Sequence, residues 1–336
     1  MLRNKVGIGV AMASVAILAL SGCTTDGAEP SNTPSSDIAL AGVAFNATDP
    51  FWITLMCGAT QAAKEAGVAL TWSAGNTAEV DEQQTNFDAA LLKSPDAVIL
   101  GASTPDQFST QVEGIMAEGT PVIVVNGPID PATGQKTIVS SQDNAEFIDF
   151  VIKDIGTSGT LGILGGIPGD IPALVNRWQP LVDQLATAAP GIKVLETQYD
   201  DFDRTKATTI AAAMITGNPD LKAIYASTGP EGEGAAAAVE EAGMIGKVKV
   251  YAYDATPSEV EALRNGTITA LLAQPAGLIG AEGVNSALKY LADNADGGPV
   301  AAQAGADDTL PLAVLTRDNV DDPEKAGYIY AASCNA

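Results

Sequence analysis

The chain has 336 residues, 46% of them hydrophobic and 17% charged, which is long enough for two buried cores and too apolar for a disordered protein. Its formal charge of −24, from 17 basic and 41 acidic residues, repels phosphate backbones and excludes nucleic acid as an expected partner. Histidine is absent, so Ser-His-Asp and Cys-His mechanisms and His-based zinc sites are excluded.

Residues 1–22 have the design of a secretory signal. Arg3 and Lys5 form a short charged start, Val6–Leu20 is almost wholly apolar, and small residues precede Cys23. The tetrapeptide Leu20-Ser21-Gly22-Cys23 resembles a bacterial lipobox, which predicts that Cys23 is lipidated and becomes the mature N-terminus. The Ser/Thr/Pro-rich stretch Thr24–Asp37 reads as a flexible tether, giving a lipidated linker over 23–37. Beyond it no apolar run approaches the ~20 residues that span a bilayer. The expected protein is therefore a soluble body held to the outer face of the membrane by its lipid. Two cysteines remain, Cys57 and Cys334. An even pair in an exported chain predicts a disulfide, which would staple the C-terminal tail to the first part of the fold.

After the tether, short apolar runs alternate with helical patterns. Ile38–Phe45 reads as a strand, and Pro50 opens a helix with Phe51, Leu55, Ala59 and Ala62 on one face. Ala69–Ser73 is a second strand, followed by a helix face of Val80, Phe87 and Leu91. Ala97–Leu100 and Val122–Val125 are buried-type strands separated by the helix stripe Phe108, Val112, Ile115, Met116. This βαβαβαβ order predicts a parallel sheet with helices on both faces. The grammar then restarts. A stripe from Phe147 to Ile155 precedes the strand Leu161–Leu164, a stripe from Leu174 to Leu185 and the strand Lys193–Thr197. Helices over Arg204–Ile215, Gly234–Ala242, Pro257–Asn265 and Gly277–Leu291 alternate with strands Ala223–Ala226, Val248–Tyr253 and Ile268–Ala273. Leu310–Leu315 is a last strand before an irregular tail. Two successive doubly wound, Rossmann-like units predict an α/β protein of two lobes joined by a hinge.

No Walker A sequence, strand-to-helix G-x-G-x-x-G or G-x-S-x-G elbow occurs. No cofactor, metal or enzymatic activity is expected. The informative residues follow strand ends, where open α/β sheets bind ligands. They are Asp49, Phe51, Trp52, Asn126, Arg177, Phe202, Thr228, Asp254 and Gln274. Carboxylates, amides and a guanidinium can bridge adjacent hydroxyls while aromatic faces cover C–H surface, which is the chemistry of a neutral polyhydroxylated ligand. Phe51 also lies on its helix's apolar stripe, so core and ligand contact both fit it. Trp52 lies off that stripe, which favours a ligand-facing role. Asp254 equally fits a cap for the helix that begins near Pro257.

Several segments together resemble the ribose-binding-protein group of ABC-importer substrate-binding proteins, of the type I periplasmic-binding fold. They are IALAGVAFNATDPFW, VIVVNGP, DDFDRTKA, VYAYDATP and LLAQPAG, and the likeness covers about residues 37–315. The resemblance implies two lobes joined by three crossovers, near Ser140, Ala273 and Gln303. It implies an N-terminal lobe of 38–140 plus 274–303, a C-terminal lobe of 141–273 plus 304–317, and a tail of 318–336. It also implies roles: Asp49 as a polar ligand contact, Phe51, Trp52 and Phe202 as stacking rings, Arg177 as a hydroxyl clamp, Asp254 as the aspartate of the family's F/Y-D-x-T-P motif, and Gln274 at the hinge. Two places depart from the family's pattern, Asn126-Gly127 where it has Asp-Arg and Thr228-Gly229 where it has Asn-Asp. Loss of a bidentate donor points away from a plain aldopentose or aldohexose and towards a smaller polyol or other neutral solute. The implied protein is a monomeric receptor that passes a sugar or sugar alcohol to a membrane permease. The alternative is a receptor that presents the solute to a membrane signalling partner.

Overall fold

Runs such as Ala97–Leu100 and Val122–Val125 are buried at every position, because helices cover the sheet from both sides. The computed structural model describes residues 37–76, 79–130, 135–169, 172–294 and 307–334. The signal segment, most of the tether, Cys23 and Gln303 lie outside them. Among the described residues no helix is long and apolar enough to cross a membrane.

The first lobe begins with β1 (Ala39–Ala44), α1 (Pro50–Ala66), β2 (Ala69–Ala74), α2 (Val80–Leu91), β3 (Ala97–Leu100), α3 (Ser109–Ala117), β4 (Val122–Val125) and β5 (Lys136–Ser140). The second lobe holds α4 (Ala145–Ile155), β6 (Ser158–Leu164), α5 (Pro172–Ala188), β7 (Gly191–Val194), α6 (Arg204–Gly217), β8 (Leu221–Ala226), α7 (Gly229–Glu241), β9 (Lys249–Tyr253), α8 (Pro257–Asn265) and β10 (Ala270–Ala273). The chain then returns through α9 (Ala276–Asp293) and β11 (Asp308–Leu310) to the first lobe, and through β12 (Ala313–Thr316) to the second. The first sheet runs β11-β5-β4-β3-β1-β2 and is parallel. The second runs β12-β10-β9-β8-β6-β7 and is parallel apart from β12, which is antiparallel to β10. These are the two doubly wound lobes that the alternation of runs predicts.

Besides shifts of a few residues at strand ends, as in β6 and β7, the structure differs from the expected elements in three ways. Pattern alone gives no strand over residues 136–140, since KTIVS has polar ends and only two consecutive apolar residues; the segment becomes β5 because β4 and β11 pair with it on either side. The single strand expected over Leu310–Leu315 is two strands. Pro311 has no N–H to donate and breaks the ladder, so β11 pairs with β5 in the first sheet and β12 with β10 in the second. Residues 308–310 therefore belong to the first sheet, not to the C-terminal lobe, and among the described residues the chain passes from the first sheet to the second at 311–312; the crossover expected near Gln303 lies outside them. The helix expected from Gly234 begins at Gly229, where Thr228 and Glu231 form a capping box and a proline occupies the first turn.

The other two crossovers fall at 141–144 and 274–275, between β5 and α4 and between β10 and α9. Each lobe has its own core. Leu55, Phe87, Ile99, Phe108 and Ile123 are fully buried in the first. In the second, Leu164, Ile224 and Leu271 pack on one face of the sheet and Phe147, Leu161 and Tyr225 on the other.

Candidate ligand-binding cleft

The strand ends of the two sheets bring Asp49, Arg177, Asp254 and Gln274 into one neighbourhood. Asp49 is the N-cap of α1, its Oδ1 accepting from the N–H groups of Phe51 at 3.0 Å and Trp52 at 3.3 Å. Burial and then the nearby Asp254 carboxylate push its pKa up to about 6 from 3.8, with Glu233 of α7 adding to the rise. Asp49 thus faces acidic groups of the other lobe.

Asp254 closes β9 in the left-handed region, φ 77°. The cap of α8 is Thr256, which forms a capping box with Glu259, so Asp254 is released from that duty. Its Oδ1 accepts from Gln274 Nε2 at 2.9 Å and from the Tyr330 hydroxyl at 3.0 Å. Its Oδ2 accepts from the Gly229 N–H at 3.2 Å and lies 3.7 Å from Arg177 Nη1. Gln274, in the second crossover, accepts through Oε1 from the Ser140 hydroxyl at 2.6 Å. One side chain therefore ties the end of β5 in the first lobe to the acidic residue of the second.

Arg177 projects from α5. Its guanidinium lies 4.4 Å over the Tyr253 ring and donates to the Ser227 carbonyl at 2.9 Å. Burial, the largest single influence, opposes its charge, but Asp254 together with Tyr253, Tyr330 and Glu231 outweighs it and the pKa is raised. Pro180 sits inside α5 and offers no N–H to the carbonyl four residues earlier. Asn144, in the first crossover, supplies that donor: its Nδ2 lies 3.0 Å from the Asn176 carbonyl. The Tyr225 hydroxyl donates to the Arg177 carbonyl at 2.7 Å. The helix turn that carries the arginine is thus pinned to the hinge.

The remaining predicted residues differ in exposure. Phe51 and Trp52 are 7% and 6% exposed and belong to the first lobe's core. The off-stripe position of Trp52 does not expose it, because Gly101 has no side chain and the indole lies against it, with Phe45 and Phe51 flanking at 6.0 and 5.4 Å. Asn126 ends β4 half-buried with φ 72°. Phe202 is 41% exposed and lies beside Gly166 at the end of β6. Thr228 directs its hydroxyl inward to Glu231 at 3.0 Å, so that group serves the capping box and does not point at the Arg177–Asp254 pair. Cys57 and Cys334 are joined, S–S 2.07 Å.

One central residue escaped the sequence reading. Tyr330, in what read as an irregular tail, is 3% exposed and bonds Asp254 directly. The tail carries a 3₁₀ helix, Pro323–Tyr328, and then crosses to α1. The signal was present: Cys57 lies two turns beyond Phe51 on the same helix, so a bond to Cys334 draws the aromatic residues before it towards the cleft.

A family model described as periplasmic binding protein domain matches residues 41–295. The ribose import binding protein RbsB of Escherichia coli strain K12 is 28% identical over 256 residues, covering 75% of this chain and 84% of its own length. The fructose import binding protein FruE of Bifidobacterium longum is 26% identical over 283 residues, covering 79% and 83%. An ABC transporter solute binding protein from Agrobacterium vitis, solved with bound alpha-D-tagatopyranose, superposes with a TM-score of 0.74 at 28% identity, covering 88% of this chain and 99% of that one.

Proposed function

The chain belongs to the periplasmic binding protein family, and from that premise we propose that it is a solute-binding receptor of an ABC importer. It captures a sugar or sugar alcohol between its lobes without altering it and delivers it to a membrane permease. Cys23 carries the lipid that holds this monomeric receptor at the outer face of the membrane. The observation that carries the reading is the Arg177–Asp254 pair, 3.7 Å apart, with Asp49 of the opposite lobe close enough to feel the Asp254 charge. A guanidinium and two carboxylates from two lobes can clamp adjacent hydroxyls, and this clamp forms only when the lobes close. Phe51, Trp52, Asn126, Phe202 and Thr228 form the surround, and Gln274 couples the clamp to the hinge. Sugar-import relatives and the tagatose-bound neighbour support the ligand class.

The test is a thermal-shift screen over pentoses, hexoses and their polyols. A true ligand at about 100 times its dissociation constant stabilises by about 2.7 kcal/mol. Arg177→Ala should abolish the shift in a protein that still folds, since Asp254 keeps Gly229, Gln274 and Tyr330 as donors, with a lower unliganded midpoint because the Ser227 carbonyl loses its donor. No shift with any member of the panel removes the carbohydrate assignment, and an undiminished shift in the variant removes Arg177 from the site. Cys23→Ala should move the protein from the membrane fraction to the soluble one; unchanged membrane association refutes the lipid anchor.

A further inference from the structure

The tail links the lobes a fourth time. Val320 is buried in the core of the second lobe, and Cys334, 14 residues on, is bonded to Cys57 of α1 in the first. Between them the Tyr330 N–H donates to the Ala255 carbonyl at 2.9 Å, and its hydroxyl donates to Asp254 Oδ1 at 3.0 Å, both in the second lobe. Its ring meets Phe51 of α1 edge-on, centroids 5.7 Å apart. The next residue, Ala331, donates its N–H to Thr54 Oγ1 at 2.8 Å, also on α1. Tyr330 is thus held by both lobes beside the Arg177–Asp254 pair.

We infer that Tyr330, carried to the cleft by the Cys57–Cys334 bond, is a specificity-determining residue that closes one end of the ligand site and withholds one acceptor position of Asp254 from the ligand. This rests on the sugar-binding reading above. A carboxylate offers about four lone-pair positions. Gln274 and Tyr330 take both on Oδ1 and Gly229 takes one on Oδ2. What remains is the Oδ2 position beside Arg177, which can receive one ligand hydroxyl. The ring fills the space between α1 and Asp254 that a larger ligand would need. A site so bounded selects by ligand size as well as by hydroxyl pattern.

The test measures affinities of wild type, Tyr330→Ala, Tyr330→Phe and Cys57→Ser/Cys334→Ser by titration calorimetry with the same pentoses, hexoses and polyols. Removing the ring should raise the ratio of larger-ligand to smaller-ligand affinity by about tenfold or more. Freeing the tail by the cysteine double variant should move the ratio in the same direction, and Tyr330→Phe, which keeps the ring, should preserve the size preference. If the alanine and cysteine variants weaken all ligands by one common factor, Tyr330 is structural only and the inference is overturned. Should Tyr330→Ala fail to fold, the cysteine variant and Tyr330→Phe decide by the same ratio. A wild-type protein that binds nothing in the panel overturns the proposed function, and this inference with it.

Discussion

Asp49 serves two ends that oppose each other. Its carboxylate caps α1, which favours the charged form, yet burial and the facing Asp254 disfavour that form more strongly, and its pKa rises to about 6 from 3.8. The folded protein therefore holds this proton more tightly than the unfolded chain does. Stability falls as pH rises between about 4 and 6, and the loss is complete above that window. Asparagine keeps the capping oxygen and carries no charge. Asp49→Asn should raise the melting midpoint at pH 7 by about 2–4 °C, with the gap closing as pH falls to 4. A gap of equal size at both pH values would show that the charge is not responsible. The candidate site is legible to the extent that chemistry follows strand ends: Asp49, Asp254 and Gln274 lie there, whereas Arg177 lies inside α5. Residue type says less at Thr228, because a threonine both caps helices and binds hydroxyls, and here its hydroxyl donates to Glu231.

At the scale of elements, the helices and the longer apolar strands follow from period and composition, whereas short strands do not. Pattern alone could not reveal β5 or the division of β11 from β12, since pairing partners far along the chain decide both. Glycine positions carry a second layer of information that periodicity misses. The contact of α1 with α9 depends on backbones touching: a β-carbon on Gly58 would overlap the Gly277 carbonyl oxygen, and one on Gly280 would overlap that of Leu55. No rotamer change relieves an overlap with backbone, so the helices would have to part. Gly58→Ala should cost about 1–3 kcal/mol or more, read as a lower midpoint in thermal unfolding. Gly114 of α3 has nothing within 4 Å of an added β-carbon, and Gly114→Ala should stabilise by about 0.5–1 kcal/mol through helix propensity. Equal effects of the two substitutions would refute the close approach.

At the scale of the molecule, the chain passes between lobes three times through its backbone and once through sulfur. The Cys57–Cys334 bond closes a loop of 277 residues, nearly the entire folded body. In the unfolded chain such a crosslink removes entropy equivalent to about 5 kcal/mol. In the folded protein the bonded tail packs Val320, Tyr328 and Ile329 on the second lobe and Tyr330 on the first. Cys57→Ser/Cys334→Ser should therefore lower the melting midpoint by about 10 °C. A thiol reductant should lower the wild-type midpoint to the same value and leave the variant unmoved. An unchanged midpoint in the double variant would mean that the tail holds its place through packing and hydrogen bonds alone, and that the bond constrains the unfolded chain far less than its loop length implies.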